Sequence, residues 1–181
     1  LYDNENYPDH PTGYSYPLSF DAPQQWGDNY GSRMYGYVHP PLTGWYKFWV
    51  AGDDQSQLHL STDESYSNSQ LIASASSWAN YQEWEAENSQ ESDWIYLEQG
   101  QKYFIEATMK EGAGNDHLSV AWQVPGGERK VIEGKYLSPF VHIEAPTPER
   151  GELDPLGYIE ALRIDDIHST GIDGSDVTVA Y

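Results

Sequence analysis

Short runs in which apolar and polar residues alternate dominate the chain. Within residues 45 to 50, Tyr46, Phe48 and Val50 share one face of an extended strand, and the same period recurs near residues 57 to 61, 103 to 109 and 118 to 122. Because alternate side chains of a strand point to opposite faces, each run predicts a strand with one buried face. Turn-forming residues separate the runs, and no long helical period occurs. The pattern predicts an all-β protein, an antiparallel β-sandwich of two twisted sheets with little helix.

The same pattern divides the chain into two parts, residues 1 to 145 and residues 146 to 181. The first part holds the predicted sandwich, preceded by a proline-rich lead-in that favours irregular extended structure. The second part begins in a stretch rich in Pro, Glu and Gly that is typical of a linker, and its two strand-like runs either close this domain or begin the next. Since the sequence starts without Met and stops on a strand-like run, we expect a piece of a longer protein.

Charge and composition limit the classes of molecule and metal ion that the protein can bind. The chain carries 29 acidic and 9 basic residues, a formal charge of −20, which repels nucleic acid and anionic membrane surfaces and attracts cations. It contains no cysteine, which excludes disulfides and thiolate metal sites and leaves oxygen or imidazole as metal ligands. No apolar run approaches the roughly 20 residues of a membrane-spanning helix, so we expect no membrane insertion. A hard cation such as calcium fits this composition best.

Two adjacent carboxylates, Asp53 and Asp54, lie between two predicted strands. Neighbouring ionised carboxylates repel each other unless a proton, a basic side chain or a cation neutralises them, and no Lys or Arg lies between Lys47 and Lys102. Two interpretations are open at this point. The pair is either a solvated turn beside Gly52 or half of a cation site.

A second acidic loop, EGAGND at residues 111 to 116, also joins an upstream strand to a downstream one. Because loops of this kind cluster at one end of a sandwich, we expect the two loops to meet. Calcium takes six to eight oxygen ligands at about 2.3 to 2.6 Å, from carboxylates, amides and main-chain carbonyls. The predicted metal ligands are Asp53, Asp54, either Asp116 or Asn115, and carbonyls freed by glycines such as Gly114.

Four motifs in order resemble the PA-fourteen (protective-antigen) domain family. They lie in GYVHPPLTGWYKFWVAGDDQSQLHLS, GQKYFIEATMKEGAGNDHLSVAWQVPGG and VIEGKYLSPF, and the resemblance runs from about residue 14 to about residue 140. It implies a β-sandwich of two twisted antiparallel sheets and, in members with the Asp pair, a calcium-dependent lectin site like those of yeast flocculins and bacterial surface adhesins. It also implies a cis peptide between Asp53 and Asp54, and a second loop that supplies an Asn or Asp side chain and main-chain carbonyls. Asp116 is favoured for that role here.

The resemblance implies a function as well as a fold. We expect an extracellular, monomeric carbohydrate-binding module within a large secreted or cell-surface adhesin, which binds vicinal hydroxyls of cell-surface or polysaccharide glycans through calcium. The residues expected at the sugar are Asp53, Asp54, Asp116, Glu111 and His117. Two alternatives remain open, namely a structural or protein-interaction module that calcium only stabilises, and an accessory domain of a glycoside hydrolase.

Other candidate residues favour simpler interpretations. The chain has no nucleophile motif, phosphate loop or thiol, so we do not expect an enzyme, and the scattered histidines do not predict zinc. The second Asp-Asp pair, Asp165 and Asp166, has no matching loop and is interpreted as a solvated turn. Four strand tryptophans are expected in the core rather than at a sugar-stacking surface: Trp45, Trp49, Trp94 and Trp122.

Overall fold

Strands make up most of the regular structure. The computed structural model describes residue 11, residue 13 and residues 15 to 140. In chain order the strands are β1 (Gly31–Val38), β2 (Gly44–Asp53), β3 (Gln55–Ser61), β4 (Ser69–Ala75), β5 (Ile95–Leu97), β6 (Tyr103–Lys110), β7 (His117–Gln123), β8 (Arg129–Val131) and β9 (Leu137–Ser138). The helical structure in this part of the chain is limited to 3₁₀ turns at Tyr66–Asn68, Asn88–Gln90 and Gly134–Tyr136.

The strands form two antiparallel sheets. One has five strands in the order β4-β3-β6-β1-β9, and the other has four in the order β5-β2-β7-β8. The apolar faces of both sheets meet in one core, in which Tyr46, Phe48 and Val50 of β2 are fully buried. The predicted all-β sandwich is therefore confirmed, and the alternation in β2 identified its inward face correctly.

The prediction for the tryptophans was right for two and wrong for two. Trp49 and Trp122 are buried, whereas Trp45 is 58% exposed and Trp94 is 50% exposed. The difference on β2 comes from what covers its outer face. The indole Nε1 of Trp49 donates to Glu91 Oε2 at 3.0 Å, so the segment around Glu91 lies over Trp49 but leaves Trp45 open.

Two connections cross from one sheet to the other at the same end of the sandwich. β2 of the four-stranded sheet leads directly into β3 of the five-stranded sheet, and β6 of the five-stranded sheet leads back to β7 of the four-stranded sheet. Asp53 at the end of β2 pairs with His117 at the start of β7. Gln55 at the start of β3 pairs with Lys110 at the end of β6. The pairings therefore place both connections side by side.

The described part of the lead-in is integral to the sandwich. Phe20 is fully buried, its backbone N–H donates to the Ile132 carbonyl at 2.8 Å, and its carbonyl accepts from the Val120 N–H at 2.8 Å. Phe20 is thus held between Val120 of β7 and Ile132, which follows β8. Residues 146 to 181 lie outside the described residues, so their assignment as linker and further strands stays a prediction. No helix in the described part of the chain has the length and apolarity that a membrane span requires.

Phe20→Ala tests whether the lead-in belongs to the folding unit. Removal of a fully buried phenylalanine should lower the free energy of unfolding by about 3 to 5 kcal/mol, measured by urea denaturation. Leu18 is 84% exposed, so Leu18→Ala is the matched control and should change stability by no more than about 0.5 kcal/mol. Similar small effects from both variants would show that the lead-in is not part of the core.

Candidate functional site

The Asp pair and the glycine-rich loop are in direct contact. The backbone N–H of Asp54 donates to the Lys110 carbonyl at 3.2 Å, and the Gly112 N–H donates to Asp54 Oδ2 at 2.9 Å. The peptide bond between Asp53 and Asp54 is cis. The expected meeting of the two loops is therefore present, at the end of the sandwich where the chain changes sheets.

Two glycines allow this close approach. A Cβ atom on Gly112 would lie 2.9 Å from Asp54 Oδ2, so a side chain there would displace the Asp54 carboxylate from its present position. Gly114 has φ +128°, a conformation that residues with a side chain rarely adopt. Its N–H donates to Asp28 Oδ1 at 3.1 Å, which ties the loop to the lead-in.

The side chains of the glycine-rich loop divide into buried and exposed groups. Asp116 and Glu111 are each only 2% exposed, whereas Asn115 is exposed. Asp116 Oδ2 accepts a hydrogen bond from the Gly27 N–H at 2.9 Å. Asp116 Oδ1 and both carboxylate oxygens of Glu111 make no hydrogen bond within the described residues. Of the two predicted alternatives, Asp116 is the residue that the structure buries beside the Asp pair.

The electrostatics of the cluster are one-sided. Burial raises the pKa of Glu111 to about 7, and the charges of Asp54, Asp53 and Asp116 add to the shift. Burial, and then the charge of Asp54, also raise the pKa of Asp53, while His117 acts in the opposite direction. Burying a carboxylate among other carboxylates disfavours its ionised form unless a cation compensates the charge. The site therefore has the charge distribution of a cation-binding site.

His117 lies in the wall of the site. Its ring is 4% exposed, and its Nε2 donates to the Ala79 carbonyl at 2.9 Å. The N–H of Ala79 in turn donates to the Gly52 carbonyl at 3.0 Å. A buried ring presents little surface to a ligand. His117 is therefore better placed to support the Asp pair than to contact a sugar directly, which is the role that the sequence predicted for it.

Two supporting segments were not anticipated from the sequence. The lead-in contributes Gly27 and Asp28, which bond to Asp116 and Gly114 respectively. The segment after β4 contributes Ala79, which joins Gly52 to His117. The run Gly27-Asp28-Asn29 was the available signal, since it combines a glycine with two oxygen-bearing side chains as the glycine-rich loop does.

The donor chemistry of the site suits calcium. Its side-chain donors are carboxylate oxygens, the ligands that hard cations prefer, and the buried unpaired oxygens of Asp116 and Glu111 lack a partner that a cation would supply. No three His, Cys, Asp or Glu side chains among the described residues are arranged closely enough to hold a metal ion by themselves. A calcium shell here would therefore combine Asp53, Asp54 and Asp116 with main-chain carbonyls of the glycine-rich loop.

Comparison with known proteins shows which family this chain resembles in sequence. The family model described as the PA14 domain matches residues 5 to 135. Among curated proteins, the mouse (Mus musculus) N-acetyl-beta-glucosaminyl-glycoprotein 4-beta-N-acetylgalactosaminyltransferase 1 is 35% identical over 117 residues, 61% of this chain. Mouse Fibrocystin-L is 31% identical over 84 residues, 46% of this chain. The chain spans only 11% of the first relative and 2% of the second.

Solved structures share the fold at low sequence identity. The Epithelial Adhesin 6 A domain from Candida glabrata, in complex with Galb1-3GlcNAc, has a TM-score of 0.52 at 15% identity, and the match covers 77% of this chain and 76% of that one. An anti-sigma factor domain-containing protein from Clostridium clariflavum also has a TM-score of 0.52, at 21% identity, with 71% of this chain and 42% of that one covered. At these identities the likeness establishes the fold.

Glu111→Gln should change how stability depends on pH when a chelator removes metal ions. The folded-state pKa of Glu111, about 7, lies above its ordinary value of 4.5. Between these values the folded protein binds more protons than the unfolded chain, so wild-type stability should fall as pH rises through this window. Glutamine carries no charge, so the variant should lose much of this fall.

The measurement is thermal melting in EDTA at intervals from pH 4.5 to 8. Glu98 is exposed, so Glu98→Gln is the matched control and should retain the wild-type decline. An unchanged decline in Glu111→Gln would contradict the burial of an unpaired carboxylate at this position.

Proposed function

The chain belongs to the PA14 domain family, whose model matches residues 5 to 135, and on this premise we propose that it is a calcium-dependent carbohydrate-binding module. The observation that carries the proposal is the contact between Asp54 and Gly112, at 2.9 Å, which joins the Asp pair to the glycine-rich loop. Around this contact, carboxylates from separate parts of the chain lie close enough to raise one another's pKa, and His117 only partly opposes this effect at Asp53. A hard divalent cation is the partner that their charge and their oxygen chemistry favour.

Calcium would be held by Asp53, Asp54 and Asp116, together with main-chain carbonyls of residues 111 to 114. The cation would neutralise the mutual repulsion of the carboxylates and supply coordination positions for ligand oxygens. Asp53 and Asp54 are partly exposed, and residues 113 to 115 are exposed, so the site opens to solvent on that side. Vicinal hydroxyls of a sugar are the ligand class that suits such an opening, because two hydroxyl oxygens replace two waters on a hard cation.

We propose binding rather than catalysis for this domain. The carboxylates of the candidate site, namely Asp53, Asp54, Glu111 and Asp116, lie together in one cluster, whereas glycoside hydrolysis uses two carboxyl groups on opposite sides of a glycosidic bond. The transferase that resembles this chain is matched over only 11% of its own length, and its activity does not transfer to this domain. We further propose that the domain serves as a monomeric module of a longer extracellular or cell-surface adhesin.

A structural role for calcium is the second candidate function. Glu111 and Asp116 are almost completely buried, and the cluster joins the lead-in to both sheet-crossing loops. An ion in this position would hold these segments together whether or not a sugar binds. This candidate predicts stabilisation by calcium without a response to any glycan.

Asp54→Asn should weaken calcium-dependent sugar binding at least tenfold, because it removes one charge from the proposed cation shell at nearly constant shape. Calorimetry with fucose, mannose, glucose and Galb1-3GlcNAc, each in calcium and in EDTA, measures the effect, and a glycan array in calcium extends the panel. Asp165→Asn alters the other Asp-Asp pair of the chain and is the matched control, expected to bind like the wild type. Sugar binding that survives chelation at this site, or equal losses in both variants, would contradict the proposal.

Calcium should raise the melting temperature of the wild-type protein and have little effect on Asp54→Asn. The reason is that a ligand bound only by the folded state stabilises it by RT ln(1 + [L]/Kd), so a variant with a larger Kd for calcium gains less stability at the same calcium concentration. Differential scanning fluorimetry across a calcium series in the presence and absence of the sugars separates the two candidate functions. Stabilisation by calcium with no glycan response in calorimetry or on the array would favour the structural role, and the absence of any calcium effect would contradict both.

A further inference from the structure

An open groove on the outer face of the four-stranded sheet is separate from the candidate site. It has a volume of about 650 Å³ and is lined by Trp45, Trp94 and the turn at residues 123 to 126. Tyr96 of β5 extends its aromatic surface, because the Trp45 and Tyr96 rings pack edge to face with their centroids 5.4 Å apart. We refer to Trp45, Trp94, Tyr96 and this turn as the aromatic groove.

The aromatic groove exposes an unusual amount of ring surface. Trp45 is 58% exposed, and Trp94 and Tyr96 are each 50% exposed. The indole N–H groups of Trp45 and Trp94 make no hydrogen bond within the described residues. Trp49, which lies on β2 with Trp45, instead donates its N–H to Glu91. Large aromatic rings that keep both an apolar face and an unpaired donor in solvent are typical of recognition surfaces.

The backbone holds the aromatic groove in shape. Trp45 of β2 is paired directly with Tyr96 of β5. On the other side, Pro125 packs so closely over Gly44 that a Cβ atom on that glycine would lie 2.7 Å from the proline Cγ atom. Strand pairing therefore fixes the wall at Trp45 and Tyr96, and the turn at residues 123 to 126 is packed against β2, so a ligand would have little loop to order on binding.

The charges around the aromatic groove favour a neutral ligand. Lys47, the neighbouring basic residue on β2, forms an ion pair with Glu91 and lies 5.4 Å from the centre of the Trp94 ring. Its charge is therefore already compensated. With a formal charge of −20 on the whole chain, a polyanionic ligand would be repelled.

We propose that the aromatic groove is a second binding surface, which takes the chain of a neutral polysaccharide without a metal ion. A pyranose ring has an apolar C–H face and a polar edge of hydroxyls, which match the ring faces and the unpaired N–H groups of the two tryptophans. The open shape of the groove suits a polymer that continues beyond both ends. Because Trp45 and Tyr96 touch edge to face, they leave no slot between their rings for the insertion of a proline ring, which argues against a proline-rich peptide.

Affinity electrophoresis of the full chain in EDTA tests this proposal with dextran, galactomannan, xylan and hydroxyethylcellulose in the gel. At least one of these neutral polymers should retard the protein, and the double variant Trp45→Ala/Trp94→Ala should reduce the affinity at least tenfold. Alginate, a polyanion, should not retard it. Chelation keeps the outcome independent of the proposed calcium site.

The control variant is Tyr66→Ala, because Tyr66 is 57% exposed and lies outside the aromatic groove; its retardation should match the wild type. Trp45→Phe is the second variant of the groove, in case the double alanine variant does not fold, and should bind with intermediate affinity. No retardation by any neutral polymer in EDTA, or retardation that Trp45→Phe and the double variant leave unchanged, would overturn the proposal. A shift in tryptophan fluorescence with a polyproline peptide but with none of the polysaccharides would overturn it in favour of a protein partner.

Discussion

The antiparallel pairing of β2 with β7 is the contact on which the candidate site depends. It places Asp53 opposite His117 and thereby brings two sheet-crossing loops together that are far apart in sequence. The carboxylates in these loops repel each other, so an opposing free energy must hold the loops in place. The buried face of β2 supplies it, because Phe48 and Val50, which are fully buried beside Tyr46, each contribute about 1.5 to 3 kcal/mol. The core thus maintains an arrangement of charges that the loops alone would not adopt.

Support for the site comes from segments outside the two loops. Gly27 and Asp28 bond to Asp116 and Gly114, and Phe20 anchors the same lead-in within the core. The site is therefore assembled from parts of the chain that meet only in the folded state. A carboxylate such as Glu111 can remain buried and unpaired here because the whole sandwich, rather than a local turn, determines its position.

The sequence was most informative where structure follows from local periodicity. The alternation in β2 predicted its buried face, and the two acidic, glycine-containing loops could be expected to meet at one end of a sandwich. The exposure of Trp45 and Trp94 could not be predicted in this way, because it depends on which part of the outer face a distant loop covers. The role of Asp28 was missed for a similar reason, since the lead-in gives no periodic signal. The division at residue 146 lies outside the described residues and stays a prediction.

The length of β2 has a geometric consequence for the whole domain. Trp45 lies near the start of this strand and Asp53 at its end, and at about 3.3 Å per residue the distance between them is about 26 Å. The odd-numbered positions of a strand also share one face. Two attachment points on one rigid strand would fix the direction in which the domain lies along a long polymer, whereas a single point would leave it free to pivot. Strand length would then set the orientation of the domain on that polymer.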